Sequence, residues 1–206
     1  MNNELFIEKE IKRRFGKGRE KGCPISREGL AMLFGELGFR TGAEIGVQRG
    51  LFSETLCRSI PGLDLLCVDM WGLRGDKGRP WYAEAKERLS GHGVRFIDKP
   101  SLEAAMDIPD RSLDFVYIDA SHLFDDVMLD IITWGRKVKI GGVVAGHDYM
   151  KFSFRMELQW EGLINAVKAY TDSHLLGDWY ITSDDPASYF WVKDFEQRTE
   201  YDTGCI

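Results

Sequence analysis

The chain has 206 residues, of which 44% are hydrophobic and 29% charged, and its formal net charge is −6. This length suits one α/β domain with a full core, because two domains would each be small. The acidic balance argues against a protein that binds nucleic acid mainly through its phosphates, since such binding needs an excess of Lys and Arg on one face.

Further classes of protein are excluded by local composition. No apolar run approaches the ~20 residues of a membrane span, and the N-terminus is too charged for a signal peptide. The basic stretch 12–21 allows two interpretations: it forms a surface that binds an acidic ligand, or it is the solvated face of a helix. Scattered cysteines without a C-x-x-C pair favour buried thiols in a reducing, cytoplasmic setting: Cys23, Cys57, Cys67 and Cys205.

Helical and strand patterns alternate along the chain after a charged N-terminal segment. Ser26 is placed as the N-cap of a first amphipathic helix, and Gly38 is placed to stop it. A Pro-containing turn joins two strands at 178–194 as a hairpin. Strands are predicted at 42–47, 63–71, 94–99, 113–120 and 143–149, and helices at 51–60, 81–90, 101–108, 125–138 and 157–172.

This alternation predicts an α/β fold. We expect a Rossmann-like, doubly wound and mostly parallel sheet of seven strands with helices on both faces. The C-terminal hairpin should insert one antiparallel strand. We expect residues 41–195 to form the main domain, with 1–40 as a helical segment packed on it and 196–206 as a tail.

Polar residues stand at the ends of the predicted strands. In open parallel sheets, ligands bind at the carboxyl edge of the strands, near the point where the strand order reverses. One acid in such a place is unremarkable, but a series of them indicates a shared cleft. The series consists of Glu44, Asp69, Asp98, Asp119, His147 and Asp148.

The turn after the first strand indicates the ligand. Gly46 and Gly50 let the backbone pass close to a ligand and expose amide groups before a helix. The G-x-G-x-x-G spacing of a dinucleotide site is missing, and Glu44 would repel a phosphate but attract an ammonium group. Asp69, at the end of the next strand, is placed to accept hydrogen bonds from ribose hydroxyls. S-adenosylmethionine has the ribose and the cationic amino-acid part that fit both carboxylates.

Several stretches together carry a family resemblance: AEIGVQRGLFSETL (43–56), LLCVDMW (65–71), DKPSLEAA (98–105) and residues 112–149, which run from SLDFVYIDASH to GHDY. They resemble the class I S-adenosylmethionine-dependent methyltransferases. More narrowly, they resemble small bacterial methyltransferases related to macrocin-type sugar O-methyltransferases and, distantly, catechol O-methyltransferases. The likeness covers residues 40–195.

The resemblance implies a role for each matching residue in binding the cofactor S-adenosylmethionine. Asp69 would bind the ribose hydroxyls, and Ser101, with Asp98 close by, would lie near the adenine. Trp71 would cover the adenine ring or pack in the core or a lid. The residues at the methionine and ribose turn would be Glu44, Gly46 and Gly50, with Asp119 at the same edge.

The resemblance also implies a catalytic group. In the resembled sugar O-methyltransferases, the Asp of a D-x-x-H turn and two residues after the fifth strand bind a metal, and the His of the turn is the base. Carried over, Asp119, His147 and Asp148 would bind Mg²⁺ or another divalent cation, and His122 would be the base. Position 147 is usually acidic, and imidazole favours softer metals. A metal-free enzyme with His122 or His147 as the base therefore stays open.

We expect O-methylation of a hydroxyl on a small molecule or a sugar or glycan precursor, with no nucleic-acid or membrane partner. Segments 71–86 and 149–160 are candidate walls for the acceptor, although 71–86 could equally be an ordinary loop. A non-catalytic module that binds S-adenosylmethionine, or a methyltransferase for nucleic acid or protein, are the alternatives. A nicotinamide-dependent oxidoreductase is disfavoured by the glycine spacing. The sequence leaves a homo-oligomer open.

Overall fold

The structure is a computed structural model that describes residues 3–150 and 157–194, with side chains described for 6–150 and 161–194. Seven α-helices and eight strands occur in the described ranges. The helices are α1 Asn3–Phe15, α2 Arg27–Glu36, α3 Leu51–Ser59, α4 Gly78–Arg88, α5 Ser101–Met106, α6 Phe124–Lys137 and α7 Glu157–Ser173. The strands are β1 Lys21–Gly22, β2 Thr41–Ile45, β3 Asp64–Asp69, β4 Val94–Asp98, β5 Leu113–Ile118, β6 Val138–Tyr149, β7 Tyr180–Ile181 and β8 Ala187–Val192.

The strands form one sheet in the order β1-β7-β8-β6-β5-β2-β3-β4. All neighbours pair in parallel except β8, which runs antiparallel to both β6 and β7. This arrangement confirms the predicted doubly wound α/β fold with its antiparallel strand from the C-terminal hairpin. The described sheet has eight strands rather than seven, because the two-residue strand β1 pairs with β7 at the edge.

The strand order reverses at β2. The chain moves outwards from β2 to β3 and β4, and then returns to place β5 on the other side of β2. Connections therefore leave the carboxyl ends of β2 and β5 in opposite directions, which opens a crevice between them. The candidate site residues lie at this edge.

Helices cover both faces of the sheet, so its inner strands are buried from both sides. One core cluster contains Phe34, Phe115 and Phe190, and the other contains Trp134 and Trp191. Burial on both faces explains the nearly continuous apolar runs of the strands. Among the described residues, no helix is both long and apolar enough to cross a membrane.

The basic stretch near the N-terminus is largely neutralised by ion pairs. Lys12 contacts both Glu8 and Asp178, and Arg19 contacts Asp172. The same stretch contributes further pairs, Arg13 with Glu10 and Arg14 with Glu10 and Glu36. These contacts favour the solvated-face reading of residues 12–21 over an acidic-ligand surface. The division of the chain at residues 40 and 195 stays a prediction, and the tail 196–206 lies outside the described residues.

The predicted ends of helix α2 agree with the structure, whereas the predicted start of helix α4 does not. Ser26 accepts a hydrogen bond from the Gly29 amide at 3.2 Å as the predicted N-cap, and Gly38 adopts a left-handed φ of 79° after the helix. Helix α4 begins at Gly78, earlier than predicted, after two short 3₁₀ turns at Trp71–Leu73 and Gly75–Lys77. Gly78 lies so close to the Trp71 carbonyl that a Cβ would overlap it.

A test of the core concerns Gly42, whose added Cβ would overlap the buried Phe115 ring on the neighbouring strand. Overpacking a core in this way costs about 1–3 kcal/mol. We expect Gly42→Ala to lower the free energy of unfolding in urea by that amount. Gly91→Ala is the control, because nothing lies within 4 Å of a Cβ there. Equal stabilities for the two variants would contradict the packing described here.

Candidate active site

The turn from β2 to α3 passes directly beside the end of β5. Gly46 has a φ of 95°, and a Cβ at this position would overlap the Asp119 carbonyl. Gly50 has a φ of 75° and forms the N-cap of α3. Both glycines therefore meet a steric requirement that an L side chain would violate.

A cavity of about 620 Å³ opens over the carboxyl edge beside this turn. This volume is in the range of ligand sites in proteins, roughly 300–1,000 Å³. Its charged lining contains four acids, Asp69, Glu103, Asp126 and Asp130, and two bases, Arg74 and Lys99. An acid-rich lining suits a cationic ligand better than a pyrophosphate. The other lining residues include Ile45, Gly46, Val68, Met70, Pro100, Ser101, Leu102, Ala120, Ser121 and Leu129.

Asp69 lines this cavity with an almost completely buried carboxylate. It accepts hydrogen bonds from the backbone amides of Gln48 and Met70 at 2.8 and 2.7 Å. Arg74 donates a third hydrogen bond from Nε at 2.8 Å. Asp69 therefore holds the first turn in place and pairs with one cation, Arg74, at the cavity wall.

Two residues predicted near the adenine do not line the cavity. Trp71 is buried, packs on Tyr82 with ring centroids 4.8 Å apart, and donates a hydrogen bond to the Gln48 carbonyl at 2.8 Å. Asp98 is exposed and accepts a hydrogen bond from the Gly72 amide at 2.9 Å. Both side chains thus fix the backbone around the cavity.

Ser101 lies at the cavity wall, in a buried polar group that includes Asp130. Ser101 donates a hydrogen bond to Asp130 and accepts one from the Trp134 indole at 2.8 Å. Asp130 is only 5% exposed, and burial raises its pKa to about 6. Sequence reasoning missed Asp130, although it is the polar residue on the apolar face of α6 that carries Val127, Ile131 and Trp134.

Glu44 lies behind the first turn and does not line the cavity. It is 2% exposed and accepts a hydrogen bond from Ser53 on α3. Burial raises the pKa of Glu44 to about 8, an effect that the Ser53 hydroxyl and the charge of Arg27 oppose. Glu44 therefore ties β2 to α3 immediately before the turn.

The structure brings together the predicted histidines and acids at the ends of β5 and β6. One ligand atom from each of Asp119, His147 and Asp148 lies within 4.8 Å of the others. His147 Nδ1 is 3.1 Å from Asp148 Oδ1 and 3.8 Å from Asp119 Oδ2. His122 Nε2 lies 2.7 Å from Asp148 Oδ2. We refer to these four residues as the His-Asp cluster.

Asp148 is the hub of the His-Asp cluster. Burial alone would raise its pKa, but the hydrogen bonds to His122 and His147 outweigh that effect and hold the pKa well below its usual range. Its backbone has a left-handed φ of 59°, which is uncommon for a residue other than glycine and typical of functional sites. Asp148 is therefore a fixed carboxylate between two imidazoles.

Arg27, at the start of α2, reaches the same cluster. Its Nη2 donates a hydrogen bond to Asp119 Oδ2 at 2.6 Å. The guanidinium carbon lies 4.0 Å from the centroid of the Phe52 ring and 5.0 Å from that of Tyr117. Sequence reasoning missed Arg27 because it sits far from the motifs and looks like an ordinary first-turn helix residue.

The cavity and the His-Asp cluster adjoin each other. Ala120 and Ser121 line the cavity, whereas Asp119 and His122, the residues that flank them, belong to the cluster. A ligand in the cavity would therefore lie beside the histidines and carboxylates of the cluster.

Comparison with known proteins identifies the family. A family model described as a methyltransferase domain matches residues 43–149, just over half of the chain. The chain belongs to this methyltransferase family. The matched range includes the first turn and the whole His-Asp cluster but leaves out Arg27.

One curated relative of this methyltransferase is an uncharacterized protein, y4gI, of Sinorhizobium fredii. The two are 32% identical over an alignment of 116 positions, and the match covers 51% of this chain and 12% of the relative. The methyltransferase therefore spans only a small part of the curated relative that it matches.

Solved structures with the same fold include O-methyltransferases. TomG of Streptomyces achromogenes, involved in tomaymycin synthesis and solved with S-adenosylmethionine, is 17% identical with a TM-score of 0.64. That match covers 95% of this chain and 91% of TomG. An O-methyltransferase from Bacillus cereus, solved with S-adenosylhomocysteine, is 15% identical with a TM-score of 0.62, covering 94% and 92%. At these identities the likeness concerns the fold.

The buried Glu44 carboxyl gives the methyltransferase a predictable pH dependence. Its folded-state pKa of about 8 exceeds the ordinary value of 4.5, so its contribution to stability is full below pH 4.5 and is lost as the pH rises through 8. We expect Glu44→Gln, which cannot ionise, to lack this loss. The free energy of unfolding of the variant should gain on the wild type by about 1.4 kcal/mol for each pH unit at most, and by a few kcal/mol in all.

Urea unfolding at pH 5, 6, 7 and 8 measures this difference, with Glu103→Gln as the control that removes an exposed carboxyl. Parallel curves for Glu44→Gln and the wild type would show that Glu44 is ionised in the folded protein throughout this range.

Proposed function

We propose that this methyltransferase transfers the methyl group of S-adenosylmethionine to a hydroxyl of a small molecule or of a sugar or glycan precursor. The observation that carries this proposal is the contact between the acid-rich cavity and the His-Asp cluster at residues 119–122. The cavity offers room and charge for the cofactor, and the cluster offers a base beside it.

The cofactor would lie across the first turn. Asp69 has lone pairs left for ribose hydroxyls, since a carboxylate offers about four acceptor sites and three are used here. Ser101 and Asp130 line the same cavity, and the adenine would lie beside them. Glu44 contributes by fixing the turn, and Gly46 by letting the backbone approach the ligand.

The transfer is a displacement in which an acceptor oxygen forms a bond to the methyl carbon while the carbon–sulfur bond breaks. The sulfonium is already a good leaving group, so the protein must chiefly remove the hydroxyl proton. His122 is the proposed base, because its Nε2 is held by Asp148 and it directly follows Ser121, which lines the cavity. Asp148 would also stabilise the imidazolium that forms, as the Asp of a catalytic triad does.

The distances among the three possible ligands suit a divalent cation, but one of the two carboxylates already has a cationic partner. Asp119, His147 and Asp148 would hold Mg²⁺ or a softer divalent ion, which would lower the pKa of a bound hydroxyl. However, Asp119 already forms an ion pair with Arg27. We therefore assign the proton transfer to His122 alone, with His147 as a second imidazole on the same carboxylate.

Cofactor binding can be tested without knowing the acceptor. We expect S-adenosylhomocysteine to bind the wild type with micromolar affinity by isothermal titration. Asp69→Asn should weaken binding about tenfold or more, because the amide replaces one acceptor oxygen with a donor. Asp98→Asn is the matched control, since Asp98 ends the neighbouring strand but does not line the cavity. No binding by the wild type would refute the proposed function.

Turnover tests the base. We expect His122→Gln to lower the rate of S-adenosylhomocysteine release against a panel of small hydroxyl acceptors by roughly 10²–10⁴-fold, the usual contribution of a general base. Affinity for S-adenosylhomocysteine should stay within about twofold of the wild type. His92→Gln, which changes a histidine remote from the cluster, serves as the control. Cofactor binding without turnover of any acceptor by the wild type would instead favour the non-catalytic module.

A further inference from the structure

Arg27 occupies the position of a cation beside Asp119. Its Nη2 is 2.6 Å from Asp119 Oδ2, and the side chains of both residues are about 20% exposed. We propose that Arg27 is a built-in cation of the His-Asp cluster that competes with divalent metal ions for Asp119, so that the site works without a metal. This inference rests on the proposed function, because it concerns the same acceptor site.

The guanidinium is held firmly in this position. It lies over the ring of Phe52 at 4.0 Å and over that of Tyr117 at 5.0 Å, and both rings are buried. Cations over aromatic faces are attracted by the ring quadrupole, more strongly where water is excluded. Two rings and one carboxylate thus fix the orientation of Arg27.

Leaving Asp119 would be costly for Arg27. Its Nε is buried and has no hydrogen-bond partner among the described residues. If a metal ion took Asp119, the guanidinium would also lose its carboxylate and stay as an unpaired, partly buried charge, which is unfavourable. A metal ion at Asp119 would in addition stand next to a like charge.

The other carboxylate of the His-Asp cluster, Asp148, cannot replace Asp119 as a ligand for a metal ion. Asp148 is engaged by His122 at 2.7 Å and by His147 at 3.1 Å, so Asp119 is the carboxylate that a metal ion would need to recruit. Its partner Arg27 lies outside residues 43–149, the range shared with the family. The motif that indicates a metal site therefore does not include Arg27, the residue that decides whether a metal binds.

Binding of Mn²⁺, followed by electron paramagnetic resonance of the free ion, tests the competition directly. We expect Arg27→Met to bind one Mn²⁺ about tenfold tighter than the wild type, or more, because a like charge is removed and Asp119 is released. Arg27→Lys, which keeps the charge, should stay close to the wild type. Arg58→Met is the control for net charge, since it removes an arginine from a surface pair with Glu54 and should change nothing.

Adding Asp119→Asn to Arg27→Met should abolish the gain and thereby place the ion in the cluster. An affinity of Arg27→Met no higher than that of Arg58→Met would overturn the proposal. So would a wild type that already binds Mn²⁺ at micromolar concentration and loses it in Asp119→Asn, a comparison that holds even if Arg27→Met fails to fold. Titration of the same samples with S-adenosylhomocysteine separates the two proposals, since failure of cofactor binding refutes the function and leaves the Mn²⁺ comparison intact.

Discussion

The backbone of Gly46 lies against the carbonyl of Asp119, where the end of β2 meets the end of β5, and the geometry of the site follows from this contact. The Gly46 amide donates a hydrogen bond to the Val68 carbonyl at 2.8 Å, and the Asp119 amide donates one to the Ile45 carbonyl at 2.7 Å. The neighbouring strands β5, β2 and β3 are thus tied together at their carboxyl ends. Because nothing larger than a hydrogen fits on Gly46, the turn can lie against the end of β5, where residues 120 and 121 line the cavity and their neighbours belong to the His-Asp cluster.

Most acids of the site are held by a partner of their own. Asp69 has two backbone amides and Arg74, Asp119 has Arg27, and Asp148 has two histidines. Glu44 and Asp130 are instead buried against serines, with their pKa values raised. Such satisfaction is what buried polar groups require, and it fixes each oxygen before a ligand arrives. The site is therefore preorganised, with little reorganisation left for the reaction.

The sequence was enough to predict the element order and the strand-end acids because both depend on local signals. Hydrophobic runs and caps are read along the chain, and parallel strands bring their carboxyl ends to one edge regardless of detail. Asp119, His122, His147 and Asp148 follow from that rule and from the family resemblance. Cavity-lining and scaffolding roles do not follow, since Asp69 and Asp98 end adjacent, paired strands and yet only Asp69 faces the cavity.

Contacts between segments that are distant along the chain could not be predicted from the sequence, and the reason is physical. Arg27 meets Asp119 across 92 positions of the chain, and nothing in its own helix distinguishes it from a solvated arginine. Trp71 has an aromatic ring that could cover an adenine. Its indole instead donates a hydrogen bond to the carbonyl of Gln48 and so stabilises the left-handed φ of 50° at that residue. Side-chain direction was decided in each case by a partner from another element.

The two arginines of the site differ in a way that bears on its selectivity. Arg74 belongs to a surface segment of short 3₁₀ turns, lines the cavity, and is 29% exposed, so a ligand can share Asp69 with it. Arg27 is packed between Phe52 and Tyr117 and has no such freedom. An arginine that cannot move acts as a fixed charge, and a fixed charge discriminates between ligands by repulsion as well as by attraction. Under the proposed function, the acceptor side of the crevice would thus carry a fixed positive charge beside its carboxylates, whereas the cofactor side would keep an acid excess that suits the sulfonium and ammonium groups of S-adenosylmethionine.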